Sequence, residues 1–177
     1  MKNTAPALPI RHVFDLGALS PSGSTATVTA KGDELARLAI WAGLNAVRAF
    51  GGNVALRRLS QTHFAIEADL DADIVQSCVV TLEPVETHIS RHIARELHFV
   101  RHADPASGEL TLAAGDDEVP ETITALDYDL AAPLLEEFVL AIDPYPRKAG
   151  AAFTPIELPE EAPESPFGVL KKLKEQD

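Results

Sequence analysis

Residues 63–74 read HFAIEADLDADI, the clearest alternation in the chain. Phe64, Ile66, Ala68, Leu70, Ala72 and Ile74 fall on one face of an extended backbone, and His63, Ala65, Glu67, Asp69, Asp71 and Asp73 fall on the other. A period of two with one apolar and one acidic face predicts a half-buried strand in an antiparallel sheet with one side in water. The run exceeds the usual five or six residues of a strand. Long strands twist and curl, so the predicted sheet is strongly twisted or barrel-like.

Working outward, Pro9 to Leu16 reads as a short strand carrying Ile10, Val13, Phe14 and Leu16, and Thr25 to Thr29 as a weaker one. Between Asp33 and Leu44 the period changes. Leu35, Leu38, Ala39 and Ala42 recur at three and four, with Asp33 and Glu34 in the first turn, so an amphipathic helix is predicted there. Ile40, Trp41 and Leu44 widen its apolar face toward the sheet. Gly51 and Gly52 read as punctuation before Val54, Leu56 and Leu59. Asp104 to Thr124, acidic and broken by Pro105, Gly108, Gly115 and Pro120, reads as a long loop. A second helix is predicted after Asp127 or Asp129, from Leu134, Leu135, Phe138, Val139 and Ile142, with Glu136 and Glu137 facing out and Pro144 and Pro146 ending it.

Residues 85–102 fit two templates. As a helix, Ile89, Ile93, Leu97 and Val100 form a stripe; as a strand, Val85, Ile89, Ile93, Leu97 and Phe99 share one face, with His88, His92, Glu96, His98 and His102 opposite. The choice bears on chemistry. A His pair four apart is about 6 Å apart on a helix but roughly 13 Å apart on a strand, and only the helix seats both on one zinc.

The chain has 177 residues, 46% of them apolar and 24% charged, the proportions of an ordinary globular domain. A chain of about 150 residues buries about two-thirds of its unfolded surface, so a core forms without staples. The single cysteine, Cys78, makes no internal disulfide, no secretory leader opens the sequence, and charged residues interrupt every apolar run before the roughly 20 residues a membrane span needs. A cytoplasmic protein is expected, with no membrane partner. The net charge of −12 is uneven: residues 1–102 carry 10 Lys+Arg against 10 Asp+Glu, residues 103–177 carry 5 against 17, and all six histidines lie in the first part. Such a balance argues against a large RNA footprint, since phosphate neutralisation supplies most RNA affinity. It either keeps the surface solvated or steers a basic protein.

Catalytic signatures are missing: the sequence has no phosphate-cradling glycine loop, nucleophile elbow or zinc-protease motif. Cys78 reads as a small apolar residue at a strand end, and Glu136 with Glu137 as a solvated helix face. The expected protein is not an enzyme and needs no cofactor. Residues 1–150 are expected to form one α+β domain, a mainly antiparallel sheet with two packed helices. Residues 151–177 are expected to be an extended acidic tail rich in Pro and Glu. It ends in a short docking segment, where Ser165 caps, Pro166 takes the first helical position, and Phe167, Leu170 and Leu173 make an apolar edge beside Lys171, Lys172 and Lys174.

Four segments occur in order: Cys78-Val79-Val80-Thr81-Leu82-Glu83-Pro84, the helix residues Tyr128 to Ile142, Asp143-Pro144-Tyr145-Pro146-Arg147-Lys148, and Glu164-Ser165-Pro166-Phe167-Gly168-Val169-Leu170. Together they resemble the YceD family, large ribosomal RNA subunit accumulation proteins. Many relatives carry a second cysteine in the first motif, in a CxxCLEP run, and more cysteines after the long helix, a pattern that looks like a zinc knuckle. Here Thr81 takes the second position and residues 143–150 hold no cysteine, so a four-ligand zinc site does not transfer. The resemblance also implies a strand over residues 85–101.

What it implies for function is an effect on 23S rRNA of the large ribosomal subunit. The expected partner is a precursor of that subunit, through a basic ribosomal protein or a local 23S rRNA element. The rival reading is an acidic protein-binding adaptor unrelated to ribosomes. Partner-binding candidates are Arg57 with Arg58, Leu82-Glu83-Pro84, Tyr145, Arg147 with Lys148, and the terminal Phe167, Leu170, Lys171 and Lys172.

Overall fold

The computed structural model describes residues 8–101 and 120–153. Its elements in order are β1 (Val13–Asp15), a 3-10 turn (Leu16–Ala18), β2 (Ser24–Thr29), α1 (Asp33–Ala42), β3 (Ala46–Arg58), β4 (His63–Ser77), β5 (Pro84–Phe99), β6 (Glu121–Ile123), β7 (Asp127–Asp129) and α2 (Ala131–Ala141). The main sheet runs β2-β3-β4-β5-β6, antiparallel except where β6 joins β5 in parallel; β1 and β7 form a separate antiparallel pair. The fold is α+β with a mainly antiparallel sheet.

The alternation in β4 sets the inside and outside. Phe64, Ile66, Ala68, Leu70, Ala72 and Ile74 are all buried, and Glu67, Asp69, Asp71 and Asp73 are all exposed. The ambiguous stretch is a strand, β5, in register along the whole of β4 from His63↔His98 to Ser77↔Pro84. Ile89, Ile93 and Leu97 face the core, and α2 covers β4 and β5 there, its Phe138 ring meeting Phe50 edge-on at 5.2 Å. Arg95 on β5 holds the helix from the side: its Nη1 lies 2.7 Å from Glu136 Oε2 and 3.7 Å from Glu121 Oε2. Burial opposes the charge on Arg95, yet the ion pair with Glu136 outweighs it and raises the guanidinium pKa.

Several expectations are corrected. The sheet is open rather than barrel-like: closure needs the first and last strands to pair, whereas β2 pairs only with β3, and three-residue β6 pairs only with the end of β5. Gly51 and Gly52 do not punctuate the chain but lie inside β3. A Cβ at Gly52 would sit 2.9 Å from Leu134 Cδ2 and 3.0 Å from Asp69 O, so the missing side chain is what lets α2 approach the sheet. Of the Pro9–Leu16 strand only Val13–Asp15 pairs, with β7, and Leu16 turns into the core. The Asp104–Thr124 loop loses its last residues to β6; residues 102–119 lie outside the described part. Helix α1 ends at Ala42, where Gly43 takes φ 68° and its N–H caps the last turn. Its apolar face is narrower than predicted. Leu38 and Ala39 are buried, but Ile40 and Trp41 look away from the sheet, as does Val139 on α2. The predicted tail from 154 onward lies outside the described residues.

Candidate functional site: a turn locked to the segment after the last helix

Between β4 and β5 the chain reverses through Cys78-Val79-Val80-Thr81-Leu82-Glu83. Backbone bonds close the turn on itself: Cys78 N–H donates to Glu83 O at 2.8 Å, and Leu82 N–H to Cys78 O at 2.9 Å. The cost falls on Leu82, a non-glycine residue at φ 61°, in the left-handed region that L side chains disfavour. Its side chain is 77% exposed, so burial returns nothing for that strain. Backbone strain of this kind clusters at binding and active sites.

The segment after α2 clamps the turn from outside. Val79 N–H donates to Pro146 O at 2.9 Å, Lys148 N–H to Cys78 Sγ at 3.3 Å, and Gln76 Nε2 to Asp143 O at 2.8 Å. Lys148 Nζ lies 3.1 Å from Glu83 Oε2, and Asp143 Oδ1 accepts from Tyr145 N–H at 2.8 Å, folding the Pro-Tyr-Pro run back. The thiol is the hub. Bonds from the Lys148 N–H, the Thr81 hydroxyl and the Thr81 N–H, opposed by burial, lower the Cys78 pKa to about 6. Lys148, by hydrogen bond and charge, and Thr81 hold the Glu83 carboxyl below its ordinary value. Cys78 is therefore more than the small apolar filler predicted: a buried sulfur acceptor ties two family segments together.

The structure thus brings Leu82, Glu83, Pro84, Tyr145, Arg147 and Lys148 to one end of the sheet. Tyr145 is 72% exposed, and Leu82, Val79 and Arg147 are exposed as well. Arg57 and Arg58 are not part of it. They end β3 at the opposite end of the sheet, opposite Ala65 and Phe64. There Arg58 Nη2 donates to Leu16 O and Gly17 O, both at 2.9 Å, with its guanidinium carbon 5.7 Å from the Phe64 ring centre, and Arg57 pairs with Glu67. Phe167, Leu170, Lys171 and Lys172 lie outside the described residues. Val79 and Gln76 were missed by sequence reasoning. Val79 belongs to the quoted motif, but nothing in the sequence marks Gln76, whose partner is a backbone carbonyl 67 residues away.

His63, His88, His92 and His98 lie on the outer face of the main sheet. His88 Nδ1 is 2.8 Å from Asp73 Oδ1, His92 Nδ1 is 2.8 Å from Asp69 Oδ1, and the His63 and His98 rings stack at 4.2 Å. Each pairs across the strands as register dictates. Among the described residues, no three His, Cys, Asp or Glu side chains converge as a ligand set, and no helix is long and apolar enough to cross a membrane.

An open, mainly antiparallel sheet backed by two helices, with a strand-joining turn clamped by the segment after the last helix, defines an α+β protein. The chain belongs to the family described as large ribosomal RNA subunit accumulation protein YceD, which matches residues 66–174, more than half of its length. The match takes in β4 from Ile66 onward, the turn, β5, α2 and the clamping segment. Comparison with curated proteins and with solved structures gives no match. The family's description implies a role in accumulation of large-subunit ribosomal RNA.

Proposed function

We propose that the chain is a non-enzymatic factor that supports 23S rRNA accumulation by docking on a precursor of the large ribosomal subunit through the clamped turn. The observation that carries this reading is Leu82: strained and solvent-facing in a turn whose backbone is bonded to the segment that carries the exposed Tyr145 and Arg147, inside the family-matched residues. Tyr and Arg are among the residue types that carry most binding energy at protein interfaces. With a net charge of −12 and Lys148 already paired with Glu83, the surface suits a protein face of the precursor, such as a basic ribosomal protein, better than bare RNA backbone. Subunit assembly takes place in the cytoplasm, where this reading places the chain.

Deleting the gene should lower 23S rRNA relative to 16S rRNA, and the wild-type chain should restore the ratio. The variant Leu82→Ser/Tyr145→Ser/Arg147→Ser/Lys148→Ser should not restore it, although the clamp's backbone bonds survive these side-chain changes. An unchanged ratio on deletion, at slow and fast growth, defeats the reading.

A further inference from the structure

On the far side of α1 from the sheet, Ile40 is 81% and Trp41 36% exposed. With Leu8, Pro9 and Ile10 of the N-terminal segment they line a groove of about 740 Å³. Its rim is charged, with Arg11, Arg37 and Glu34 at the margin. An exposed apolar surface that opens into a groove is a binding feature rather than ordinary surface. It lies outside residues 66–174, so family membership does not account for it.

Three observations select an occupant. First, the described chain leaves the fold at the same sheet end where α1 finishes. Asn45, three residues past α1, donates through Nδ2 to Ser77 Oγ at 2.9 Å; the next residue, Cys78, is bonded to Lys148, and Lys148 stands five residues before Phe153. Second, the reach suffices. The residues from Phe153 to Phe167 span up to about 46 Å when extended, about three times the length of ten-residue α1 at roughly 1.5 Å per residue. Third, the chemistry matches. In residues 160–174, Glu160, Glu161 and Glu164 precede the apolar Phe167, Leu170 and Leu173, and Lys171, Lys172 and Lys174 interleave with them. Three apolar residues at helical spacing suit a groove lined by Ile40 and Trp41, and the rim's exposed ion pairs, Arg37 with Glu34 at 3.8 Å and Arg11 with Asp129 at 3.2 Å, can exchange partners with the segment's acids and lysines.

We propose that the groove between α1 and the N-terminal segment is the docking site of the chain's own Ser165–Lys174 segment. Tethering gives that segment an effective concentration of about millimolar, well above what a separate copy supplies in a cell. The site is independent of the ribosomal reading: it is lined by α1 and the N-terminal segment, and no residue of the clamped turn belongs to it.

Trp41 is the only tryptophan, so its fluorescence reports on the groove alone. In the full chain, Phe167→Ser/Leu170→Ser should shift Trp41 emission to longer wavelength and raise its quenching by acrylamide about twofold, as the indole loses apolar cover. Conversely, Ile40→Asp, at a position that contributes nothing to the core, should remove hydrogen-exchange protection from residues 165–174. Signals in the wild-type chain should not depend on protein concentration. Unchanged quenching in the tail variant, or no protection of 165–174 in wild type, overturns the proposal. Shielding that grows with concentration overturns it too, by assigning the groove to a second copy.

Discussion

The two ends of the sheet carry the same kinds of residue and use them in opposite ways. At the Arg57 and Arg58 end, the cations are turned inward on the protein itself: Arg58 satisfies two carbonyls of the 3-10 turn and lies over Phe64, and Arg57 neutralises Glu67. At the other end, backbone bonds centred on Cys78 do the structural work, which leaves Leu82, Tyr145 and Arg147 facing solvent. The contrast shows that a basic pair in a sequence says nothing about recognition until its hydrogen bonds are assigned. A side chain is available to a partner where the backbone has taken over the job of holding the fold.

The largest expected effect tests that division directly. The quadruple variant at Leu82, Tyr145, Arg147 and Lys148 should weaken capture of large-subunit precursors by about a hundredfold, as loss of clustered anchors does, while urea unfolding stays near wild type. Arg58→Ala should do the reverse. It removes two charge-assisted hydrogen bonds and a ring contact, so stability should fall by about 1.5–2 kcal/mol, with precursor capture by the folded protein unchanged. If Arg58→Ala instead weakens capture without destabilising, the two ends have been assigned the wrong way round.

Smaller and opposite in sign is Leu82→Gly. Glycine adopts φ 61° freely, whereas leucine there costs about 1–2 kcal/mol, part of which glycine's own flexibility takes back, so a net gain of about 0.5–1 kcal/mol is expected. The same change removes an anchor. Higher stability with weaker capture is the expected pair, and a stability loss would show that the leucine side chain is structural.

A further effect concerns pH. Cys78 has its folded pKa lowered to about 6 from an ordinary 9.0. A group whose folded pKa is depressed stabilises fully above the unfolded value and loses that stabilisation as pH falls through the folded one. Wild-type stability relative to Cys78→Ala should therefore decline as pH is lowered from about 9 to about 6, and the difference should be flat below that window, as followed by urea titration. Glu83 acts the same way in the acid range, because its folded pKa is also depressed.

The legible parts of the fold were those fixed by local periodicity. Both faces of β4 follow from its alternation alone. For β5, Ile89, Ile93 and Leu97 at spacings of four satisfy helix and strand alike, and the register opposite Asp69 and Asp73 decides between them; that is a contact between strands, not a property of the segment. Gly51 and Gly52 carried a turn signal because their actual surroundings are invisible locally: Gly52 admits Leu134 of a helix some eighty residues later, and Gly51 lies against Val28 O of the neighbouring strand. Ile40 and Trp41 read as core because a stripe does not reveal how wide a surface is waiting for it. At the site, the family segments could be recognised but not their junction, since a sulfur accepting a backbone N–H from 70 residues away leaves no trace in composition.

The central claim is that the clamped turn supports large-subunit rRNA through what it presents. Its most direct test is the 23S to 16S rRNA ratio in cells whose only copy of the chain is the quadruple variant, expressed at wild-type level and shown to be folded by its urea midpoint. The account predicts a ratio as low as in the deletion strain. A wild-type ratio with that variant would contradict it.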